Sequence, residues 1–442
     1  MTMKKTESGG TLTVKTGRKP TLRTIRWTLA ALSAAFLICA ADAAEVPTKR
    51  IHTFTGAPGD GERPTSLVFG GRGSLYGSAV YGGTTNAGTV FSMTPPAAAG
   101  GVWTENLIYS FSVLANGTFP TATVVAADSA GVLGFTEEGG NAFLGTVFAL
   151  TPPSEAGGQW TETDLYDFSS PATGEYPTAL IVANGVIYGT TGQGGSANGG
   201  DVFSLTPPAS PGGPWVETVL YSFAGGSDGI GPQSLQMGPD GIIYGTTGQG
   251  GTANAGVVFS LTPPAAPGGN WSEGVLYAFQ SGSDGNSPMG VTIGSGGVLY
   301  GTTLGGGIIA NGCPFGCGTV FSLTPPAAPG GAWTEAVLYS FNGASDGYGP
   351  PAGPTLGSGG VLYGVTGDGD NGAGGGVAFS LTPPSEPGGA WTETVLHSFQ
   401  GARHDDGLDP DSRLLLSGNG VLYGTALLGG FDGEGTVFEL KP

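Results

Sequence analysis

Short apolar runs alternate with stretches rich in glycine and proline along almost the whole chain. A typical segment, residues 318–341, reads GTVFSLTPPAAPGGAWTEAVLYSF, with two apolar runs on either side of a Pro-Ala-Gly stretch. The runs are rich in Val, Leu, Tyr, Phe and Thr, are four to eight residues long and are bounded by Gly, Pro, Asn or Asp, which is typical of β-strands. Beyond residue 43 we find no segment with helical periodicity. The pattern predicts an all-β protein.

The apolar runs recur with a regular period. Each unit reads as four strands: one after a turn such as Asp-Gly, then runs like GVLYGTT, GTVFSLT and WTEAVLYSF. Four-stranded units repeated in this way are typical of a β-propeller. We predict a single seven-bladed β-propeller over residues 44–442. Its units end near Phe54, Phe111, Phe168, Phe223, Phe279, Phe341 and Phe399.

The two ends of the repeat array are circularly offset. The array opens with a fourth-strand segment, RIHTF at residues 50–54, and closes with a third-strand segment, GTVFELKP at residues 435–442. Pairing these two segments would complete the last blade and remove an exposed sheet edge. We therefore predict that the N-terminal strand closes the last blade, which favours a closed ring over an open solenoid.

Six tryptophans each stand eight residues before the phenylalanine that ends their unit. A tryptophan in each outer strand could serve as a platform for sugars, or it could pack between blades. Because large aromatic side chains contribute most to core energetics, we favour packing. The six are Trp103, Trp160, Trp215, Trp271, Trp333 and Trp391.

Residues 1–43 differ from the repeats. Basic residues precede an apolar run at residues 29–41, and Ala41-Asp42-Ala43 matches the small-residue pattern of a cleavage site. The run is too short to cross a membrane as a helix. We predict a secretory signal peptide that is removed near Ala43, and hence an extracellular or periplasmic protein.

Charge and cysteine usage fit an exported protein. Residues 1–43 hold seven of the 14 basic residues and two of the 33 acidic ones, so the rest has a formal net charge of −24. Such a surface repels nucleic acid and anionic membranes, and we expect a monomer without a membrane span. Cys313 and Cys317 lie in the one oversized unit, where we predict a local disulfide. No second ligand pair stands near them, which argues against zinc at this site.

The repeat unit resembles the Gloeobacter/Verrucomicrobia tandem repeat of exported bacterial proteins of choice-of-anchor type. The LYGTT, GTVFSLTP and LYSF elements recur in order from Arg50 to Pro442, although unit two reads GVLGFTEE at residues 131–138 and lacks the tyrosine. The resemblance implies export and a propeller built from repeats, and it implies no catalytic residues. No anchor pattern follows the last strand, so surface attachment stays open. A weaker similarity is to Kelch-type propellers.

The variable loops between second and third strands offer a candidate binding face. In a propeller these loops share one face with the Asp-Gly turns that precede the first strands. Asp or Asn before Gly is ordinary turn chemistry, so we assign binding to the loops. An acidic rim of this kind could hold Ca²⁺, or it could simply be solvated. The candidate binding residues are Glu137, Glu138, Gln193, Gln249, Asp368, Asp370, His404, Asp405, Asp432 and Glu434.

The similarity among the units favours a role without catalysis. An enzyme site usually needs one or two blades to diverge strongly, and three histidines leave few groups for general-base catalysis at neutral pH. We expect a binding or structural scaffold for an extracellular glycan or protein, with no catalytic residue, metal ligand or cofactor assigned apart from possible Ca²⁺. The alternative is a hydrolase or lyase that acts on polysaccharide through an acidic, possibly Ca²⁺-dependent, site.

Overall fold

Seven antiparallel sheets form the blades of a β-propeller. The computed structural model describes residues 48–442, apart from positions 57, 99, 113–116, 122–124, 128–130, 156, 211, 267, 311, 329, 344, 370–374, 387 and 402–405. Within these residues there is no α-helix, and four short 3₁₀ turns occur at Gly71–Gly73, Pro171–Thr173, Ser295–Gly297 and Ser358–Gly360. No helix of the described residues is long and apolar enough to cross a membrane.

Each of the first three blades has four strands, given from the innermost to the outermost. Blade 1 contains β2 (Gly61–Phe69), β3 (Leu75–Gly82), β4 (Thr89–Thr94) and β5 (Thr104–Ser110). Blade 2 contains β6 (Val125–Ala127), β7 (Gly131–Thr136), β8 (Thr146–Thr151) and β9 (Thr161–Asp167). Blade 3 contains β10 (Glu175–Ala183), β11 (Val186–Gln193), β12 (Asp201–Thr206) and β13 (Val216–Ser222).

Blades 4 to 6 repeat the same order. Blade 4 contains β14 (Ile230–Met237), β15 (Ile243–Gln249), β16 (Val257–Thr262) and β17 (Ser272–Ala278). Blade 5 contains β18 (Asn286–Ile293), β19 (Leu299–Gly305), β20 (Thr319–Thr324) and β21 (Thr334–Ser340). Blade 6 contains β22 (Thr355–Leu356), β23 (Leu362–Thr366), β24 (Val377–Thr382) and β25 (Thr392–Ser398).

Blade 7 joins the two ends of the chain, which confirms the predicted closure. Its inner strand is split into β26 (Gly407–Pro410) and β27 (Leu415–Leu416), followed by β28 (Leu422–Gly429) and β29 (Thr436–Leu440). The outermost strand is β1 (Thr48–Thr53), which pairs antiparallel with β29 from Thr48 opposite Leu440 to Thr53 opposite Thr436. The seven-bladed fold and the N-terminal closing strand are as the sequence predicts.

Phenylalanine pairs hold neighbouring blades together. The phenylalanine that ends each unit is buried and packs edge-on or tilted against the phenylalanine in the third strand of the next blade, with ring centroids 4.8–5.3 Å apart. Glycine in the second strand makes room for that second ring. A Cβ on Gly245 would lie 2.4 Å from the Phe259 ring and 2.5 Å from the Ser234 carbonyl oxygen, so even alanine does not fit there.

The tryptophans pack between blades, as the simpler interpretation predicts. Trp333 of blade 5 lies edge-on to Tyr244 of blade 4, with ring centroids 6.3 Å apart. Four other junctions have the same Tyr–Trp contact. At the junction after blade 2, Leu133 replaces the tyrosine and belongs to the same apolar cluster as Trp215. This substitution accounts for the departure of unit two from the repeat pattern.

The disulfide between Cys313 and Cys317 fastens the oversized loop of blade 5. Both cysteines are buried, whereas Phe315 between them is 85% exposed. The Cys317 amide donates to the Ile308 carbonyl at 2.9 Å, and the Gly306 amide donates to the Phe315 carbonyl at 2.9 Å. The predicted local disulfide is confirmed, and it holds a loop that presents an aromatic side chain to solvent.

Candidate binding face around the channel mouth

One face of the propeller carries the turns that enter each inner strand together with the loops between second and third strands. Backbone bonds join the two sets: the Gly83 amide donates to the Asp60 carbonyl at 2.7 Å, and the Thr118 amide donates to the Glu138 carbonyl at 2.8 Å. We call this the loop face. The Pro-rich hairpins between third and fourth strands lie at the opposite ends of the strands.

The aspartates of the entry turns are used within the fold. Asp284 accepts hydrogen bonds from the Tyr277 hydroxyl at 3.1 Å and from the Gln280 amide at 2.7 Å. Asp228 and Asp346 accept from Tyr221 and Tyr339 at 2.9 and 2.8 Å in the same way. These carboxylates stabilise turns, in keeping with the interpretation of the Asp-Gly pairs as turn residues.

The predicted binding residues that the structure describes are distributed around the loop face. Glu137 and Glu138 follow the second strand of blade 2, while Gln193 and Gln249 end those of blades 3 and 4. These four side chains are exposed and lie on three blades. The remaining three described residues, Asp368, Asp432 and Glu434, lie on blades 6 and 7. Asp370, His404 and Asp405 lie outside the described residues.

The residue before the inner-strand proline occupies one equivalent position in all seven blades. Each adopts a left-handed conformation, with φ between 51° and 66°. Its amide donates to a carbonyl of the preceding blade's loop, at 2.8–3.3 Å. We call these seven residues the mouth ring: Arg63, Phe119, Tyr176, Gly231, Ser287, Gly349 and Asp409.

The side chains of the mouth ring are diverse although its backbone is uniform. Left-handed backbone costs of the order of 1–3 kcal/mol for a residue other than glycine. Five of the seven positions nevertheless carry a side chain. Strained positions of this kind cluster at binding and active sites, which makes the mouth ring a candidate functional feature.

Ring contacts and electrostatic interactions connect part of the mouth ring across four adjacent blades. The guanidinium carbon of Arg63 lies 5.3 Å from the centroid of the Tyr81 ring, and that ring packs edge-on against Phe119 at 5.3 Å. Burial raises the pKa of Asp409 above its ordinary value; Asp368 adds to this effect and Arg63 opposes it. Asp368, Asp409, Arg63, Tyr81 and Phe119 therefore form one cluster, which we call the mouth cluster.

Two further acidic residues lie beside the mouth cluster. Burial raises the pKa of Glu62, and the nearby Glu434 carboxylate raises it further, whereas Arg63 opposes both effects. The Arg63 Nε atom is 3.9 Å from Glu62. Of the predicted binding residues, the structure thus brings Asp368 and Glu434 toward the same side of the mouth.

Below the mouth, the inner strands surround a channel of about 700 Å³. Its wall carries hydroxyl, amide and apolar side chains, including Ser66, Gln233 and Met289. Within the lining, the charged side chains are Asp411 and Arg413, both on blade 7. The volume lies within the range of small-molecule sites, so the channel is large enough to hold part of a ligand.

Arg413 and Asp411 give this channel wall its charged groups. The Arg413 Nη2 donates to the Thr292 hydroxyl at 2.7 Å, and its Nε donates to that of Thr355 at 3.4 Å. The guanidinium is open to channel solvent although the inner strands surround it, and this enclosure lowers its pKa. Burial, and to a lesser extent Asp409, raises the pKa of Asp411 to about 6.

The mouth ring and the charged channel residues were not predicted from the sequence. The predicted binding residues lie mostly in the loops between second and third strands, whereas the mouth ring and the charged channel residues lie in or beside the inner strands. Two signals were available. Asp411 and Arg413 stand two residues apart in GLDPDSRLLL, the spacing that places residues of an extended chain on one face. The residue before the proline also changes from unit to unit while the proline stays fixed.

Exposed phenylalanines extend the loop face away from the mouth. Phe143, Phe315 and Phe431 lie in second-to-third-strand loops of blades 2, 5 and 7 and are 55%, 85% and 87% exposed. These three blades are spread around the ring, so only a partner much larger than the channel could contact all three side chains.

Solved structures share the propeller fold at low sequence identity. The chain is similar to a catalytically inactive virginiamycin B lyase from Staphylococcus aureus (14% identity, 90% of this chain and 100% of that chain, TM-score 0.53). It is also similar to the extracellular domain of a hybrid two-component system from B. thetaiotaomicron (12% identity, 90% and 43%, TM-score 0.55). A third similar structure is PorZ, a surface component of the type-IX secretion system of Porphyromonas gingivalis (16% identity, 87% of this chain and 47% of that chain, TM-score 0.50).

The comparison with protein families identifies the repeat. No curated protein matches the sequence. The model of the Gloeobacter/Verrucomicrobia repeat matches residues 37–236, 183–328 and 307–442, which together cover every blade. The seven units predicted from the sequence coincide with the seven sheets of the structure. The chain belongs to the Gloeobacter/Verrucomicrobia repeat family.

Proposed function

We propose that the protein is an exported, non-catalytic scaffold that binds a polysaccharide at the mouth of its channel. The observation that carries the proposal is the mouth cluster, which combines Phe119, Arg63 and Asp409, all at strained backbone positions, with the ring of Tyr81. Aromatic faces pack against the C–H faces of sugar rings, while carboxylate and guanidinium groups bind their hydroxyls. Inside the channel, Asp411 and Arg413 offer the same polar groups to a chain end.

The surroundings of the mouth support a polymeric ligand. The exposed phenylalanines at the loop tips supply apolar contact area outside the channel, where a small sugar would not reach them. Export fits the disulfide between Cys313 and Cys317. The extracellular propeller domain from B. thetaiotaomicron is compatible with it. Signal-peptide removal near Ala43 remains part of this proposal.

Replacement of Phe119 by glycine tests the binding site. Glycine relieves the left-handed strain and removes the aromatic ring, so Phe119→Gly should keep the melting temperature while weakening binding to a polysaccharide array at least tenfold. Tyr176→Gly is the matched control, because Tyr176 has the same backbone conformation one blade away and lies outside the mouth cluster. Its binding should stay within about twofold of the unchanged protein.

Two results would contradict this proposal. Equal loss of binding in Phe119→Gly and Tyr176→Gly would remove the assignment to the mouth cluster. Absence of binding to the array, together with photo-crosslinking of proteins at position 315, would instead show that the loop face binds a protein.

A second candidate function is cleavage of a polysaccharide in the channel, by a hydrolase or a lyase reaction. Asp409 and Asp411 interact electrostatically, and the raised pKa of Asp411 is suited to a general acid. Release of oligosaccharide products that is lost in Asp411→Asn would establish an enzyme, and binding without product release would support the scaffold. Calcium stays a prediction, which a shift in melting temperature with millimolar Ca²⁺ would test.

A further inference from the structure

Three potential metal ligands meet where the ring closes. His52 lies on the closing strand β1, Asp60 lies in the turn before β2, and Glu105 lies on β5 of blade 1. One donor atom from each side chain falls within 4.8 Å of the other two, and the His52 Nε2 atom is 3.6 Å from the Asp60 Oδ2 atom. Among the described residues, no second group of three His, Cys, Asp or Glu side chains meets the same distance limit.

Two of the three side chains carry a buried atom without a hydrogen-bond partner, the Nε2 atom of His52 and the Oε1 atom of Glu105. The glutamate atom is also unpaired at the equivalent Glu217, Glu273, Glu335 and Glu393, whereas among the described residues His52 is the one histidine with such an atom. Leaving such an atom buried and unpaired costs about 1–3 kcal/mol. An ion between the three side chains would satisfy both atoms at once. This observation is independent of the spacing of the ligands.

The other contacts of His52 and Asp60 orient them toward one another. Asp60 accepts hydrogen bonds from the Thr55 amide at 2.9 Å and the Gly61 amide at 2.7 Å, which fix its carboxylate. The His52 ring packs edge-on against the buried Phe54 ring, with centroids 4.6 Å apart. Ligands that are held before an ion arrives lose little conformational entropy when it binds.

Other junctions show that this constellation is specific to the closing one. At three junctions the position of His52 is a tyrosine, namely Tyr221, Tyr277 or Tyr339, whose hydroxyl donates to the turn aspartate at 2.8–3.1 Å. At the junction between blades 6 and 7, His397 contacts Asp406 directly at 3.0 Å, and threonine, Thr48, occupies the aligned position of Glu105. Histidine, aspartate and an outer-strand glutamate therefore combine only at the closing junction among these five.

We propose that His52, Asp60 and Glu105 bind one divalent transition-metal ion, of which Zn²⁺ is the best fit, and that this ion fastens the closing strand to blade 1. One imidazole nitrogen and two carboxylates suit Zn²⁺, whereas Ca²⁺ and Mg²⁺ favour an all-oxygen set. The ion would link residues on β1 and β5, which belong to different blades. Because the three ligands come together only in the closed ring, binding stabilises the closed ring.

The test measures zinc binding to the protein without an affinity tag, after removal of metals with a chelator. Isothermal titration with ZnCl₂ should give one tight site per chain, and zinc should raise the melting temperature. His52→Tyr introduces the residue found at the equivalent junctions, so the variant should fold while losing the site and the thermal shift. His397→Tyr, which leaves the three ligands in place, should bind zinc as the unchanged protein does.

A gain-of-site variant makes the test independent of any loss of stability. Tyr277→His recreates the same triad with Asp284 and Glu335, so this variant should bind two zinc ions per chain. The proposal is overturned if the unchanged protein has no saturable zinc site. It is equally overturned if His52→Tyr keeps the site while His397→Tyr loses it.

Discussion

The junction that closes the ring and the junction between blades 4 and 5 make the same packing contacts. At the closing junction, however, the outer strand β1 comes from the opposite end of the chain and is only hydrogen-bonded to the rest of its blade. At the closing junction Phe54 packs on Phe91 at 4.9 Å, and the Arg63 amide donates to the Glu434 carbonyl at 2.8 Å. At the internal junction Phe279 packs on Phe321 at 5.1 Å, and the corresponding hydrogen bond, from the Ser287 amide to the Ala255 carbonyl, is also 2.8 Å. Closure therefore needs no special packing.

The two junctions differ in the side chain that faces the turn aspartate. Tyr277 donates a hydrogen bond from its hydroxyl to the Asp284 carboxylate at 3.1 Å. His52 stands 3.6 Å from Asp60, and its Nε2 atom is left without a hydrogen bond. The two junctions thus pack in the same way but differ in the hydrogen bonding of the side chain beside the turn aspartate, and each can be changed separately by mutation.

The largest effect should follow from removal of the closing strand. A variant that lacks residues 1–55 loses β1 and Phe54, so β29 becomes an exposed sheet edge and Phe91 loses its partner. We expect loss of cooperative unfolding, or aggregation, by circular dichroism and light scattering. A synthetic peptide of residues 46–56 should restore the native signal, and a variant that stays monomeric and cooperative without the peptide would contradict the role assigned to β1.

A smaller effect should follow from truncation of either phenylalanine. Phe54→Ala and Phe279→Ala each remove a fully buried ring and should lower the free energy of unfolding by about 3–5 kcal/mol. Urea denaturation should give values for the two variants that agree to within about 1 kcal/mol, because the contacts match. A much smaller loss for Phe54→Ala would show that the closing junction is already frayed in the native protein.

The smallest effect should come from the outer-strand glutamates at the internal junctions. Burial, followed by a neighbouring aspartate, raises the pKa of Glu217, Glu273, Glu335 and Glu393 to about 7. Between the unfolded pKa of about 4.5 and this value, the folded protein binds more protons than the unfolded chain. Stability should therefore fall as the pH rises through this window.

Glu335→Gln isolates one of these contributions. The side chain is partly exposed, so solvent screening limits the gain in the free energy of unfolding expected for this variant at pH 8 to about 1 kcal/mol or less. The melting temperature should differ less between pH 4.5 and pH 8 for this variant than for the unchanged protein. An identical difference would mean that Glu335 titrates normally.

The fold was predictable because each unit repeats the same buried residues. Seven phenylalanines at nearly constant spacing give the number of blades. The offset between RIHTF at the start and GTVFELKP at the end of the repeats identifies the strand that completes the last blade. The disulfide followed from two cysteines in the one long unit. These features depend on local spacing, which the sequence contains directly.

The mouth cluster was less accessible to sequence reasoning. A residue before proline is expected to be extended, so the left-handed conformation of Phe119 and Asp409 is set by the hydrogen bonds to the preceding blade. The meeting of His52 with Glu105 likewise depends on how neighbouring blades pack. Such juxtapositions arise from packing between blades, so a local sequence pattern can mark single residues but does not show which of them meet.

The pairing of β1 with β29 also determines where a tether or a further domain would join the ring. Thr48 lies opposite Leu440, so the chain enters and leaves the ring side by side, at the strand ends remote from the loop face. A tether fused to either end would hold the propeller by its back and direct the channel mouth outward. An attached molecule would thus present its mouth cluster to the surroundings without any further adaptor.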